Sequence, residues 1–337
     1  MLNLSDLKDE IINVLKDEQP KCNVILMPHF CIDNYIKFEG DYKSFVDKIE
    51  KIVEQGGGNI IVHQSLHSGG KALNTASALS ALGINAYLLA RTDSFGYDLL
   101  KHFLCDSKVD ISYMKTDGEL AITSAIELTD SNIMLSYPAS LSQFGPECLS
   151  DNDWKLLGEV DLVVISDFGL NNKGKELARE VFSFVKEKGK GKTFFDPGDP
   201  SPKGLEEKEE IKGVKNIIED GLIDILSVNE DEVERYGGAS FLRRWTRVDL
   251  HTSEYAMSFY RDSQTNRMPV FDINPKILTG AGDAWSAGDI YGELVGFGDE
   301  SRLFIANAVA GFYVSNQDGR HPTISDLLKF IKITKLK

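Results

Sequence analysis

Thr279-Gly280-Ala281-Gly282-Asp283-Ala284-Trp285 lies between an apolar segment and a stretch with helical spacing. Two glycines and an alanine let the backbone pass close to a ligand, and N–H groups at a helix start converge on an anion. Asp283 falls in the first turn of that helix, beside the anion pocket. A carboxylate there accepts a hydroxyl proton while the amides stabilise charge on a transferring phosphoryl group. Taken alone, the segment also reads as a plain helix N-cap. It is not a dinucleotide fingerprint, because no third glycine follows at the required spacing, and no GxxxxGK followed by Ser or Thr occurs in the chain.

Upstream, the apolar run Ile225–Val228 reads as a strand ending at Asn229-Glu230-Asp231-Glu232. Asn229 and Glu232 are three apart, hence on one face of a starting helix. Such a pair holds water around Mg²⁺, which keeps several waters and takes few direct protein ligands. An acidic N-cap is the alternative for the same residues. Further upstream, Ser68-Gly69-Gly70-Lys71-Ala72-Leu73-Asn74-Thr75-Ala76 joins a strand to a helix. The glycine pair lets backbone approach a polyol, and Lys71 and Asn74 offer donors to hydroxyls. A tight strand–helix turn would use the same pattern.

Around these segments, apolar strands alternate with amphipathic helices. Strands are expected at 23–27, 85–90, 162–166, 193–196 and 223–228, and helices at 2–17, 42–55, 72–82, 97–104, 282–296 and 301–316, among others. That alternation predicts an α/β fold with a largely parallel sheet covered on both faces. Strands near 32–40, 60–66 and 113–137 are half polar instead. They predict a small antiparallel sheet, exposed on one side, acting as a lid on a single domain that spans residues 1–337.

The chain has 337 residues, 42 % of them hydrophobic, which is enough for a sizeable core. Its formal charge of −15 argues against nucleic acid and anionic membrane as partners. Four scattered cysteines without a CxxC pair fit a reducing compartment. No secretory leader pattern and no membrane-length apolar run is visible, so a cytoplasmic protein is expected. Asp167-Phe168-Gly169 matches a protein-kinase tripeptide, but without the accompanying motifs it reads as a strand-end loop. His63 and His67 are four apart on a strand-like stretch, which does not bring them together as zinc ligands. His251 reads as a structural histidine, and the lysines at 329, 332, 335 and 337 as a solvated tail.

In this order and spacing, the segments resemble the PfkB or ribokinase-like carbohydrate kinase family. The GGKALNTA segment is similar to that family's glycine-pair signature. Leu82-Gly83 and Thr92-Asp93-Ser94-Phe95-Gly96 are similar to its continuation, and Phe195-Asp196-Pro197-Gly198-Asp199 to its DPN segment. Asn229 to Glu232 matches its NxxE motif and Thr279 to Asp283 its TGAGD signature. The resemblance, from about Asn23 to Leu328, implies a Rossmann-like αβα sandwich with a β-sheet lid.

It further implies a sugar, sugar-derivative or nucleoside kinase. Asp283 would be the base, with the amides of Gly280, Ala281 and Gly282 as the anion hole. Asp33, Gly69, Gly70, Lys71 and Asn74 would hold the acceptor. Asn229, Glu232, Thr252 and Asn307 would lie on the nucleotide side, with Mg²⁺ reached by Glu232 through water. Asp33 also fits by position, since a carboxylate just after the first strand is placed to grip a vicinal diol. The donor is ATP by default. Leu250-His251-Thr252-Ser253-Glu254-Tyr255 replaces the family's glycine-bearing turn and looks somewhat like the ADP-dependent branch. Ile277-Leu278 replaces the usual Asp-Thr, which argues against K⁺ activation. A non-catalytic sensor of the same fold is the second reading. Lid strands with apolar faces are expected to pair across a homodimer.

Overall fold

The computed structural model describes residues 4–17, 21–129, 131–316 and 318–337. Helix α1 (Leu4–Lys16) is followed by β1 (Asn23–Met27), β2 (Cys31–Lys37), α2 (Tyr42–Glu54), β3 (His63–Gly69), α3 (Lys71–Ala81), β4 (Asn85–Leu88) and α4 (Ser94–Phe103). Next come β5 (Ile122–Glu127), β6 (Asn132–Tyr137), α5 (Asp151–Glu159), β7 (Leu162–Ser166), α6 (Gly174–Lys188), β8 (Lys192–Asp196), α7 (Glu207–Glu219), β9 (Ile225–Asn229), α8 (Glu230–Arg235) and α9 (Ala239–Leu242). Strands β10 (Arg247–His251), β11 (Tyr255–Tyr260), β12 (Ser263–Gln264) and β13 (Met268–Pro269) precede helices α10 (Ala281–Leu294), α11 (Asp299–Ser315) and α12 (Ile324–Ile333). The expected first residues of the N-terminal helix, 2 and 3, lie outside the described residues.

The large sheet runs β12-β11-β10-β9-β8-β7-β1-β4, with β13 beside β11. It is parallel from β4 to β10 and antiparallel beyond. Its parallel strands are continuous apolar runs because both faces are covered. Alternate side chains serve two cores. Leu26, Val164 and Phe194 pack under α3, α10 and α11, whereas Ile25, Val163 and Phe195 pack under α6 and α7.

The lid runs β3-β2-β5-β6. It is mixed rather than antiparallel, because β2 and β5 pair in parallel. Between them the chain passes through the body of the molecule (α3, β4 and α4), so it re-enters the lid in its original direction. Lid strand β3 lies later than expected, at His63–Gly69, and β2 ends at Lys37. Residues 113–121 are not a lid strand. Lys115 N–H donates to Ala90 O, and Lys115 O accepts from Thr92 N–H. This segment therefore spends its backbone groups on the chain beyond β4, which also ends the expected strand 85–90 at Leu88.

Candidate active site

Parallel strands leave their carboxyl ends on one edge of a sheet, where ligands bind in open α/β folds. Here the register sets the order along that edge. Met27 on β1 lies opposite Ile165 on β7, so His29 and Asp167, each two residues further on, come side by side. Ser166 lies opposite Asp196, and Asn229 opposite His251. Of these, His29, Asp167, Asn229 and His251 line a cavity of about 810 Å³ that also receives Asp33 from the lid and Gly280–Asp283 from the start of α10.

Asp283 is buried in the first turn of α10. Its Oδ2 accepts from Asn74 Nδ2 at 2.8 Å. Burial raises its pKa, which the Lys71 ammonium and the Asn74 bond only partly offset, leaving it at about 6. Gly280 caps the helix with φ +83, and a methyl there would sit 2.5 Å from Tyr313 Oη. The hydroxyl of Tyr313 in turn donates to Thr279 O at 2.9 Å. Of the three amides expected to form an anion hole, that of Ala281 donates to Leu278 O at 3.1 Å, whereas those of Gly280 and Gly282, like that of Asp283, have no partner among the described residues.

Lys71 opens α3, and its Nζ reaches both oxygens of Asp196, at 2.9 and 3.1 Å. Burial disfavours its charge, but the Asp196, Glu232 and Asp283 carboxylates hold its pKa well above the ordinary lysine value. Lys71 therefore stands among the carboxylates of Asp196, Glu232 and Asp283. Glu232 and Asn229 form a reciprocal cap. Asn229 Oδ1 accepts from the Asp231 and Glu232 amides at 3.0 and 2.9 Å, and Glu232 Oε2 accepts from the Asn229 amide at 3.0 Å. Burial raises the Glu232 pKa; Lys71 lowers it, Asp196 raises it further, and it stands at about 7.

Toward the lid, Asp33 is buried, and its Oδ1 accepts from Cys31 Sγ at 3.2 Å. Gly69 makes room for it, since a methyl there would lie 2.1 Å from Asp33 Oδ2. Gly70 has φ +100, and its Cβ would meet His29 O at 2.6 Å. The lid faces the glycine turn, with Tyr35 and Thr279 lining one adjoining cavity.

Thr252 and Asn307 both line the cavity, but their polar atoms are engaged. Thr252 Oγ1 accepts from the Glu254 and Tyr255 amides and donates to Tyr255 O. Asn307 Oδ1 accepts from Trp285 Nε1 at 2.9 Å, and its Nδ2 donates to Met268 O and Pro269 O. Asn307 thus holds Trp285, against which His251 packs with ring centroids 4.8 Å apart. Burial lowers the His251 pKa to about 4, so this ring is neutral near pH 7. His29, Asp167 and Asp196 had no assigned role in the sequence. Their signals were a polar residue at or just beyond the end of a buried strand, and for Asp196 its place in the segment similar to the family's DPN.

The sequence model of pfkB family carbohydrate kinases matches residues 35–249, a range that ends before the glycine turn at 279–283. No curated protein sequence matches. Among solved structures, Arabidopsis thaliana ribokinase complexed with ribose and ATP superposes with a TM-score of 0.71 at 17 % identity, covering 94 % of this chain and 100 % of that one. Burkholderia thailandensis nucleoside kinase in complex with inosine gives 0.69 at 18 %, covering 92 % and 98 %. Xylella fastidiosa fructokinase with bound ATP gives 0.72 at 17 %, covering 93 % and 99 %.

Proposed function

Because this chain belongs to the pfkB family of carbohydrate kinases, we propose that it transfers a phosphoryl group from a purine nucleotide to a hydroxyl of a sugar, sugar derivative or nucleoside, with Asp283 as the general base. One observation carries this reading. Asp283 is buried, its pKa is raised to about 6, it is oriented by Asn74, and it stands beside unpaired first-turn amides in a cavity roofed by the lid.

In this mechanism the acceptor lies between the lid and α3, its hydroxyls gripped by Asp33 and the backbone at Gly69 and Gly70. Asn74 aims the Asp283 carboxylate, which takes the hydroxyl proton as the oxygen attacks phosphorus. The Gly282 and Asp283 amides and the positive end of α10 receive the charge that develops on the transferring group. Lys71, held by Asp196, adds a fixed positive charge to the same corner. The lid excludes water, so hydrolysis does not compete with transfer.

The nucleotide lies toward Asn229, Glu232 and the His251–Trp285 pair, with ATP as the default donor and ADP as the alternative. Magnesium, when bound, would neutralise the nucleotide phosphates. Glu232 fits that cation, since burial and the Asp196 carboxylate raise its pKa to about 7 and a nearby cation would favour its ionised form. Among the described residues no three His, Cys, Asp or Glu side chains converge as a direct metal cage, so contact through water suits this corner.

We read residues 1–337 as one kinase unit carrying the lid as an insertion. Four free cysteines suit a cytoplasmic setting, and no described helix is long and apolar enough to cross a membrane. The outward lid face carries Leu66, Ile122, Ile133, Leu135 and Tyr137, all exposed, and a second copy of this chain would cover it.

The test is a phosphoryl-transfer screen of D-ribose, D-fructose, inosine, adenosine, sugar phosphates and sugar acids, each with ATP and with ADP, in magnesium. Transfer that disappears in Asp283→Asn supports the assignment and identifies donor and acceptor. Nucleotide binding without transfer to any of them would favour the sensor reading.

A further inference from the structure

His29 and Asp167 form a buried pair that the mechanism above does not use. They come from adjacent parallel strands, each two residues beyond the matched positions Met27 and Ile165. His29 Nδ1 lies 2.5 Å from Asp167 Oδ2. Asp167 adopts φ +61, a left-handed conformation that a non-glycine residue takes only at a cost. Two neighbouring contacts hold it there: its amide donates to Asp196 O at 3.0 Å, and its Oδ1 accepts from the Leu170 amide at 3.4 Å. A strained backbone thus delivers this carboxylate to the ring.

The opposite nitrogen of the ring, Nε2, is buried and has no hydrogen-bond partner. Buried polar side-chain atoms are almost always satisfied, and an exception at a cavity wall marks the place a ligand atom fills. His29 lines the same cavity as Asp33 and Asp283. Burial opposes protonation of the ring, but the Asp167 carboxylate, with Asp283 and Asp33 behind it, raises its pKa above the ordinary histidine value. The Lys71 amide lies 3.3 Å from Nδ1. Once Nδ1 carries the proton, the carboxylate takes that hydrogen bond and the amide does not. An imidazolium donates at both nitrogens and accepts at neither.

We propose that His29, locked by Asp167, is a specificity-determining residue whose Nε2–H donates to an oxygen lone pair of the acceptor, beside the hydroxyl that Asp283 deprotonates. The inference rests on the kinase reading and narrows it. The acceptor presents an ether, carbonyl, hydroxyl or carboxylate oxygen at this point, and an analogue with an amine or a bare methylene there is rejected. The penalty arises because a buried donor left unpaired keeps its full desolvation cost.

The test uses the full chain and whichever of D-ribose, D-fructose, inosine and adenosine it phosphorylates. In His29→Phe combined with Asp167→Asn, which removes both buried charges together, acceptor KM is expected to rise about ten- to hundredfold. Nucleotide KM should stay within about twofold, and turnover at saturating acceptor should fall less than about threefold. His29→Gln, whose amide N–H reaches a similar position, should recover most of the lost affinity. An unchanged acceptor KM in the folded double variant overturns the proposal. A parallel loss for acceptor and nucleotide also overturns it, since that pattern belongs to a structural pair. A second measurement does not depend on turnover. In wild-type protein with ¹⁵N-labelled histidine, Nε2 of His29 should carry a proton at neutral pH. A ring without a proton on Nε2 overturns the proposal whatever the activity. Absence of transfer by the wild type itself is the separate failure of the kinase reading.

Discussion

Asp283 carries a conflict between function and stability that one residue makes measurable. A base must be ionised, so kcat/KM should rise with pH through about 6 and level off above it, followed as a pH–rate profile. Asp283→Asn should lower turnover by about two to four orders of magnitude while keeping the fold. Its effect on stability follows from linkage. The folded pKa lies above the unfolded one, so the folded state binds more protons, and stability falls as pH rises from about 4 to about 6. Above that range the buried charge costs up to about 3 kcal/mol. Asp283→Asn should therefore be the more stable protein at about pH 8, with the advantage fading near pH 4, as urea unfolding at both values would reveal. A variant no more stable at the higher pH would mean that Lys71 and Asn74 compensate the charge fully.

Among the elements, the start of α10 and the start of α3 are the least tolerant. Gly280→Ala meets two obstacles at once, a positive φ and a Cβ 2.5 Å from Tyr313 Oη. It should cost about 1–3 kcal/mol and tilt the first turn that holds Asp283, so the unfolding midpoint and turnover should fall together. Gly69→Ala differs, because φ is ordinary there and only Asp33 is in the way, with its Oδ2 2.1 Å from the added carbon. Acceptor KM should rise by about tenfold or more with nucleotide KM unmoved. At α8, Asn229→Ala removes the side-chain half of the reciprocal cap, leaving the backbone N–H donation to Glu232, and should cost about 1 kcal/mol, read from thermal unfolding. Much at this scale was legible in the sequence: the glycines, the caps and the helix starts are local, since each depends on residues within a turn of one another. Thr252 and Asn307 were placed at the cavity wall, yet their polar groups turned out to serve a turn and the Trp285 indole. That outcome depends on partners at residues 255, 268, 269 and 285, which local spacing does not reveal.

For the whole molecule, the lid is the element to which the proposed access and association belong. Its inner face is polar, with Asp33, Tyr35, Thr123 and Ser136 facing the cavities. Its outer face is apolar, and Leu135 is 57 % exposed. If a second copy covers that face, Leu135→Lys should shift sedimentation from dimer to monomer without touching the groups that bind or react. A wild type that sediments as a monomer over the micromolar range would remove the pairing. The half-polar alternation made the lid visible in advance, but its mixed topology was not, because pairing of β2 with β5 depends on where the chain re-enters after α4.

By itself, the sequence determined the alternation of buried strands and amphipathic helices, hence an α/β sandwich, and the local motifs that cap helices and turn the chain at glycines. Those are short-range matters of backbone freedom, helix-end amides and the period of apolar residues. Only the tertiary structure decided which of these motifs share a cavity. It also decided that Lys71 turns to Asp196, and that His29 meets Asp167 across two strands separated in sequence by more than a hundred residues. The reason is register: the pairing of Met27 with Ile165 is set by packing on both faces of the sheet. Side chains beyond the strand ends inherit their neighbours from that pairing, and no local pattern encodes it.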